Sequence, residues 1–267
     1  MRLLTSTGSF VTRFNGRDHT LIPKTFPLLR CDGLELMMYD TWYDRIDPVA
    51  ADLKGLPIPV LHCDKMVGEK ISMGDPVSAL ADFKENCRMA RLVGAEKLVL
   101  HLWNGVPSDW HFERNLAAFG DLWQEAEENG LLLTVENVVC GKGSPLERIT
   151  ELHGRYPLAR FTFDTKMAAF HRELDDAYAP ENRWLWQGPV AHIHLNDFGG
   201  GYKDWAHIQV LHPGEGWVDL PRAVSFLREV GYDGTVTSEA GAILSDGTPD
   251  VARINQTLDH YSRLLKK

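Results

Sequence analysis

Glu136, Asp164, Glu239 and the histidine pair His192 and His194 close short apolar runs, each at the same phase of a two-residue alternation. In Leu131-Leu-Leu-Thr-Val-Glu-Asn137 an extended chain puts Thr134 and Glu136 on one face and Leu133 and Val135 on the other. Phe161-Thr-Phe-Asp164 repeats the pattern, with Thr162 and Asp164 opposite Phe161 and Phe163. His192 and His194 alternate with Ile193 and Leu195, and Thr235, Thr237 and Glu239 with Val236 and Ser238. His62 and His101 end two earlier runs in phase with Val60 and Val99, so six runs aim a ligand-type side chain the same way. Carboxylates buried together without compensation cost on the order of several kcal/mol per charge. A divalent cation removes that conflict. Three carboxylates with one imidazole suit Mn, Mg, Co or Zn better than a thiophilic metal. Taken singly, an acid after a strand is commonly a helix N-cap and a lone histidine commonly a hydrogen-bonded core residue. It is the matching phase of Glu, Asp, His and Glu on four strand ends that points to a metal site.

The elements that must position these groups alternate. Strands are expected at Leu3–Thr7, Leu34–Tyr39, Pro59–His62, Leu98–Leu102, Leu131–Asn137, Phe161–Asp164, Val190–Leu195 and Gly234–Glu239. Between them lie amphipathic stripes: Leu80, Phe83, Cys87 and Ala90; Phe112, Leu116, Phe119, Trp123 and Ala126; Leu220, Val224 and Leu227; Val251, Ile254, Leu258, Tyr261 and Leu265. The first two units read less clearly. Gly94, Gly130 and Gly231 stand where helices hand over to strands, as left-handed helix ends require. No low-complexity linker interrupts residues 1–267 and no Gly-rich phosphate turn follows the first strand. A single (β/α)8 TIM barrel is therefore expected over an open doubly wound sheet, with its chemistry where strands end and βα loops begin.

Composition narrows the partners. The chain of 267 residues carries 28 Lys plus Arg against 37 Asp plus Glu, a formal charge of −9 that disfavours nucleic acid. No apolar run approaches the roughly 18 residues of a membrane span, and Met1 to Phe10 lacks a signal-like apolar stretch, so a cytoplasmic protein is expected. Cys31, Cys63, Cys87 and Cys140 show no CxxC spacing, which reads as reduced thiols rather than structural zinc.

Across nearly its whole length the chain resembles the sugar isomerase/epimerase superfamily, the xylose-isomerase-like barrels that also include the abasic-site endonucleases. The matching segments are Val99-Leu-His101, Thr134-Val-Glu-Asn137, Phe163-Asp-Thr165, His192-Ile-His-Leu-Asn-Asp197, Pro213-Gly-Glu-Gly216 and Val236-Thr-Ser-Glu239. The resemblance implies one metal held by Glu136, Asp164, His194 and Glu239, with Glu136 and Glu239 as acid/base groups on opposite faces of a substrate carbon. It implies a small sugar or polyol ketone as substrate, an enediolate as intermediate, and often a homo-oligomer. A carboxylate takes the proton beside a ketose carbonyl; its return to the same carbon gives an epimer, and to the adjacent carbon an aldose–ketose isomer. Loss of a neighbouring hydroxyl from the same enediolate would make the protein a sugar or inosose dehydratase. The endonuclease reading lacks parts: Met167 stands where those enzymes carry a histidine ligand, and Gly201 to Pro213 holds no Asp-x-His tripeptide. His62 and His101 do match two endonuclease ligand positions, which leaves a second metal as an alternative to substrate binding. A sugar- or metal-binding protein without turnover is the remaining class.

Other residues are candidates for substrate contact. Lys166 keeps the parity of Asp164 if the strand continues, and would reach a substrate oxygen or pair with a neighbouring acid. His192 and His212 join it. Trp103, with Trp110 and Trp205, follows a strand end and is expected to wall a sugar ring or pack the rim. His207 and His212 lie in the Asp197–Asp219 connection, whose Gly199-Gly-Gly201 run suits a mobile lid.

Overall fold

The computed structural model describes residues 1–105 and 108–266. Eight strands, β1 (Arg2–Ser6), β2 (Gly33–Met37), β3 (Val60–His62), β4 (Lys97–Leu100), β5 (Leu132–Glu136), β6 (Arg160–Asp164), β7 (Val190–His194) and β8 (Thr235–Ser238), pair in parallel in chain order. β8 returns to β1 and closes the barrel. The expected TIM barrel is the observed one.

Several ladders stop one or two residues earlier than the apolar runs, and the rim chemistry explains it. There, side chains of neighbouring strand ends take the backbone N–H groups: Asn137 Oδ1 accepts from Asp164 at 2.6 Å, Thr165 Oγ1 from Asn196 at 2.9 Å, and Asn196 Oδ1 from Glu239 at 3.2 Å. These contacts replace ladder bonds, so every donor stays satisfied while the chain turns outward. Glu239 and His101 thus lie one residue beyond β8 and β4.

Outward-facing Leu34, Leu36, Leu61, Leu98, Leu100, Phe161 and Val236 join the main core beneath the helices. Inside the barrel, Leu4, Val60 and Val99 form a small separate apolar floor. Above it the interior turns polar, with the Thr134 and Thr162 hydroxyls 2.7 Å apart. The helix Pro76–Val93 starts on Asp75, whose carboxylate accepts from the N–H of Ser78, and buries Ala79, Phe83, Cys87 and Ala90. Helices Phe112–Glu128, Leu220–Glu229 and Val251–Lys266 likewise bury most of the stripes read from sequence, with Trp123, Val251 and Leu265 half-buried at their edges. Gly94, Gly130 and Gly231 adopt φ of 78°, 70° and 74° at three of these handovers. After β1 and β2 the helices are short, Leu21–Thr25 and Ile46–Asp52, with 3-10 turns beside them. Pro23, Pro27 and Pro48 deny those stretches the donors of a longer helix, which is why their periodicity is weak.

One glycine brings a helix directly against the site. In Met66–Ser72, a Cβ on Gly68 would lie 2.1 Å from the carbonyl oxygen of His101. Among the described residues, no helix is long and apolar enough to cross a membrane.

Candidate active site

The ligand-type residues meet at the C-terminal mouth of the barrel. Register places Asp164 beside His194 and His194 beside Thr237, with Thr162 between Glu136 and its next neighbour. One ligand atom each from Glu136, Asp164 and His194 lies within 4.8 Å of the others, and all three residues are buried. Glu239 lies beside them: its Oε2 is 3.5 Å from His194 Nδ1, while Glu136 Oε1 is 3.3 Å from the same nitrogen. Asn196 Nδ2 bridges Glu239 at 2.7 Å and Asp164 at 3.2 Å. Asp164 also serves the local fold. It is the N-cap of the helix Thr165–Phe170, accepting from the Lys166 N–H at 2.7 Å.

A second group shares Glu136. His101 Nε2 lies 2.8 Å and His62 Nε2 3.3 Å from Glu136 Oε2, and these three residues again offer ligand atoms within 4.8 Å. His62 turns Nδ1 to the carbonyl of Cys63 at 2.9 Å, which leaves Nε2 for the cluster.

The electrostatics carry the mark of excess negative charge. Burial pushes the Asp164 carboxyl up to about 7; Lys166 opposes this, while Glu239 and Glu136 add to it. Burial disfavours a charged His194, yet Glu35, Glu239 and Glu136 outweigh it and hold that imidazole well above its ordinary range. Glu136 is held well below the usual carboxylate range because His101 and His194 outweigh its desolvation. An imidazole ringed by carboxylates, beside a carboxyl whose hold on its proton is raised, fits a place for a divalent cation.

Several sequence expectations need correction. Trp103 is fully buried; its Nε1 donates to the Val138 carbonyl at 2.8 Å and its ring packs edge-on against Phe112, so it is core, not the wall of a sugar pocket. His192 is also fully buried, below His194, where it bonds Thr235 and Glu35 instead of facing a substrate. His212 turns toward the helix Val251–Lys266, its Nδ1 2.7 Å from Thr257 Oγ1. Lys166 does not extend a strand: the chain turns helical at Thr165, and the buried ammonium acts on Asp164 through its charge. Trp205, 43% exposed, packs edge-on against Phe170 at the rim, while Trp110 is exposed. His207 bonds Asp204 at 2.8 Å. All four cysteines are free thiols.

Two functional candidates escaped the sequence reading. Glu35 on β2 is fully buried among His192, His194 and Thr237; its signal was a lone acid between Leu34 and Leu36 at the inward phase. Asn196 sits inside a recognised segment, but an amide has no ligand character to flag it. Asp197, the last residue of that segment, organises the next loop: its carboxylate accepts from Phe198, Gly214, Gly216 and Val218. That explains Pro213-Gly-Glu-Gly216, since a Cβ on Gly216 would lie 2.4 Å from Asp197 Oδ1.

Residues 29–263 match the model of the xylose isomerase-like TIM barrel family. The chain belongs to that family. No curated protein sequence matches it. Solved xylose-isomerase-like barrels resemble it over their full length. A D-tagatose 3-epimerase-like protein shares 18% identity at a TM-score of 0.71, covering 100% of this chain and 98% of that one. The 3-keto-D-glucoside 4-epimerase YcjR of E. coli, in its apo form, shares 17% at 0.69, covering 100% of both. An IOLI protein with a bound zinc atom shares 14% at 0.73, covering 100% of this chain and 98% of that one. At such identities these likenesses establish the shared barrel fold.

Proposed function

We propose that this protein is a divalent-metal-dependent isomerase or epimerase of a small sugar or polyol ketone. The observation that carries the reading is the meeting of Glu136, Asp164, His194 and Glu239 at the barrel mouth, with Glu136 and Glu239 at 3.3 and 3.5 Å from His194 Nδ1. Barrels of the same fold that include a 3-keto-D-glucoside 4-epimerase and a zinc-bound IOLI protein support it.

These four residues would hold the cation. When bound, it supplies positive charge to the carbonyl and hydroxyl oxygens of a ketose as they gain electron density. Glu136 and Glu239 flank the same imidazole nitrogen, which suits them to opposite sides of one substrate carbon. One takes the proton from the carbon beside the carbonyl, whose electron pair moves toward the oxygen; the other returns a proton. Asn196 holds Glu239, and the Glu136 charge is held by His101, His62 and His194. A recess of about 290 Å³ adjoins this mouth, lined by Arg17, Met37, Tyr39, Lys65, Met66 and Asn104, and suits the rest of a small polyol. Asn104 links it to His101 at 3.4 Å.

Metal analysis of the purified protein, then deuterium uptake from solvent across a panel of ketoses, tests the reading. A bound divalent ion with α-proton exchange is expected. Metal without exchange on any ketose would favour a binding protein, and loss of water from the substrate a dehydratase.

A second reading has its own observation: the His62–His101–Glu136 group suits another ion that shares Glu136. It predicts two metals per chain, falling to one in His101→Gln. One metal in both proteins would assign His62 and His101 to orienting Glu136.

A further inference from the structure

We propose that Glu35 is a positioning residue that turns Nδ1 of His194 toward the cation site, at the centre of a hydrogen-bond chain running up the barrel interior. The inference rests on the reading of His194 as a ligand given above. At the lower end Lys97, which begins β4, donates from Nζ to the Ala191 carbonyl at 3.1 Å and to Thr235 Oγ1 at 3.2 Å. An ammonium donates and never accepts, so the Thr235 hydroxyl keeps its own hydrogen for His192 Nδ1, 2.7 Å away. An ionised Glu35 carboxylate can only accept, so the single proton of the His192 ring belongs on Nε2, 2.8 Å from Glu35 Oε2, and Nδ1 accepts from Thr235.

The same carboxylate accepts from the Thr237 hydroxyl at 2.6 Å and from His194 Nε2 at 3.0 Å. With Nε2 of His194 committed as a donor, Nδ1 is the nitrogen presented to Glu136 and Glu239. Glu35, His192, His194 and Thr237 are all fully buried, so bulk water does not compete for any of these bonds. A carboxylate on the far nitrogen of a ligating imidazole fixes which nitrogen meets the ion and strengthens it as a donor. Glu35 supplies that function from β2, three strands away round the barrel, and Lys97 anchors the chain at its lower end.

Long-range 15N–1H spectra of the full chain, labelled at histidine and loaded with zinc, test this. His192 is expected to carry its proton on Nε2, and His194 to carry its remaining proton on Nε2 with zinc on Nδ1. His192 protonated on Nδ1, or zinc on His194 Nε2, overturns the proposal. Glu35→Gln keeps the side-chain shape but turns one acceptor into a donor; zinc affinity by chelator competition should fall about ten- to a hundredfold at unchanged stoichiometry. Unchanged affinity in a folded Glu35→Gln protein also overturns it. Should the unaltered chain take up no zinc, the ligand reading of His194 fails and this role for Glu35 with it; the His192 proton then reports separately on the chain of bonds.

Discussion

Asn196 and Glu239 share two hydrogen bonds: the Asn196 amide donates to Glu239 Oε2 at 2.7 Å, and the Glu239 N–H donates back to Asn196 Oδ1 at 3.2 Å. Backbone and carboxylate of Glu239 are therefore set by one side chain from the neighbouring strand end. Asn196→Ala removes both contacts without adding charge. Misplacing a reacting group by an ångström costs up to about a hundredfold in rate, so α-proton exchange should slow by roughly that factor while the fold persists. Exchange at the unaltered rate would show that Glu239 needs no such guide.

The paired acid/base roles predict matched losses. Glu136→Gln and Glu239→Gln each keep the side-chain volume and remove the proton acceptor. Each should abolish deuterium uptake from solvent and weaken metal binding, measured separately by mass spectrometry and metal analysis. Full activity in either variant would falsify the two-base assignment.

Asp164 gives the site a pH dependence. Its carboxyl rises from an ordinary 3.8 to about 7 in the metal-free barrel. The folded chain thus holds a proton that the unfolded chain has released. This group favours folding most below about 4 and loses that contribution as pH rises through about 7. A cation bound by Asp164 must displace the same proton, and His194 gives up one as well, so apparent metal affinity should fall at least about tenfold per pH unit below about 7. Chelator competition between about pH 6 and pH 8 measures it, and a flat profile would contradict the assignment of Asp164 as a ligand.

Gly68 predicts a packing failure transmitted to the mouth. With its Cβ position 2.1 Å from the His101 carbonyl oxygen and 2.7 Å from that of Leu102, Gly68→Ala has only backbone to push against. Overpacking of this kind costs about 1–3 kcal/mol, sometimes more. For a chain of this size that corresponds to a fall in Tm of about 2–4 °C for each kcal/mol. Thermal denaturation of the variant checks it, and an unchanged Tm would mean that the helix Met66–Ser72 moves freely.

Why the sequence was legible in some places and silent in others follows from what each residue must do. β5 to β8 present one apolar face to helices and one polar face to the interior, so their alternation showed both the strand and the candidate site residue, as with Phe163 and Asp164. β2 was recognised as a strand, but Glu35 was passed over because its partners, His192, His194 and Thr237, lie far along the chain. Strand parity put His192 and His194 on the same inward face without separating their depths; only the closed barrel sets one beneath the other. Trp103 and His212 failed for a related reason. A strand end says that a side chain is near the mouth, whereas the direction of its ring is chosen by Val138 and Thr257.

Because Asp164 both caps the helix Thr165–Phe170 and belongs to the proposed cation site, this position serves two masters. Attempts to retune metal preference by exchanging it would loosen the following helix at the same time. Glu239, beyond the last ladder and 16% exposed at its side chain, caps none of the described helices, so exchange there would spare the helices but remove a proposed acid/base group.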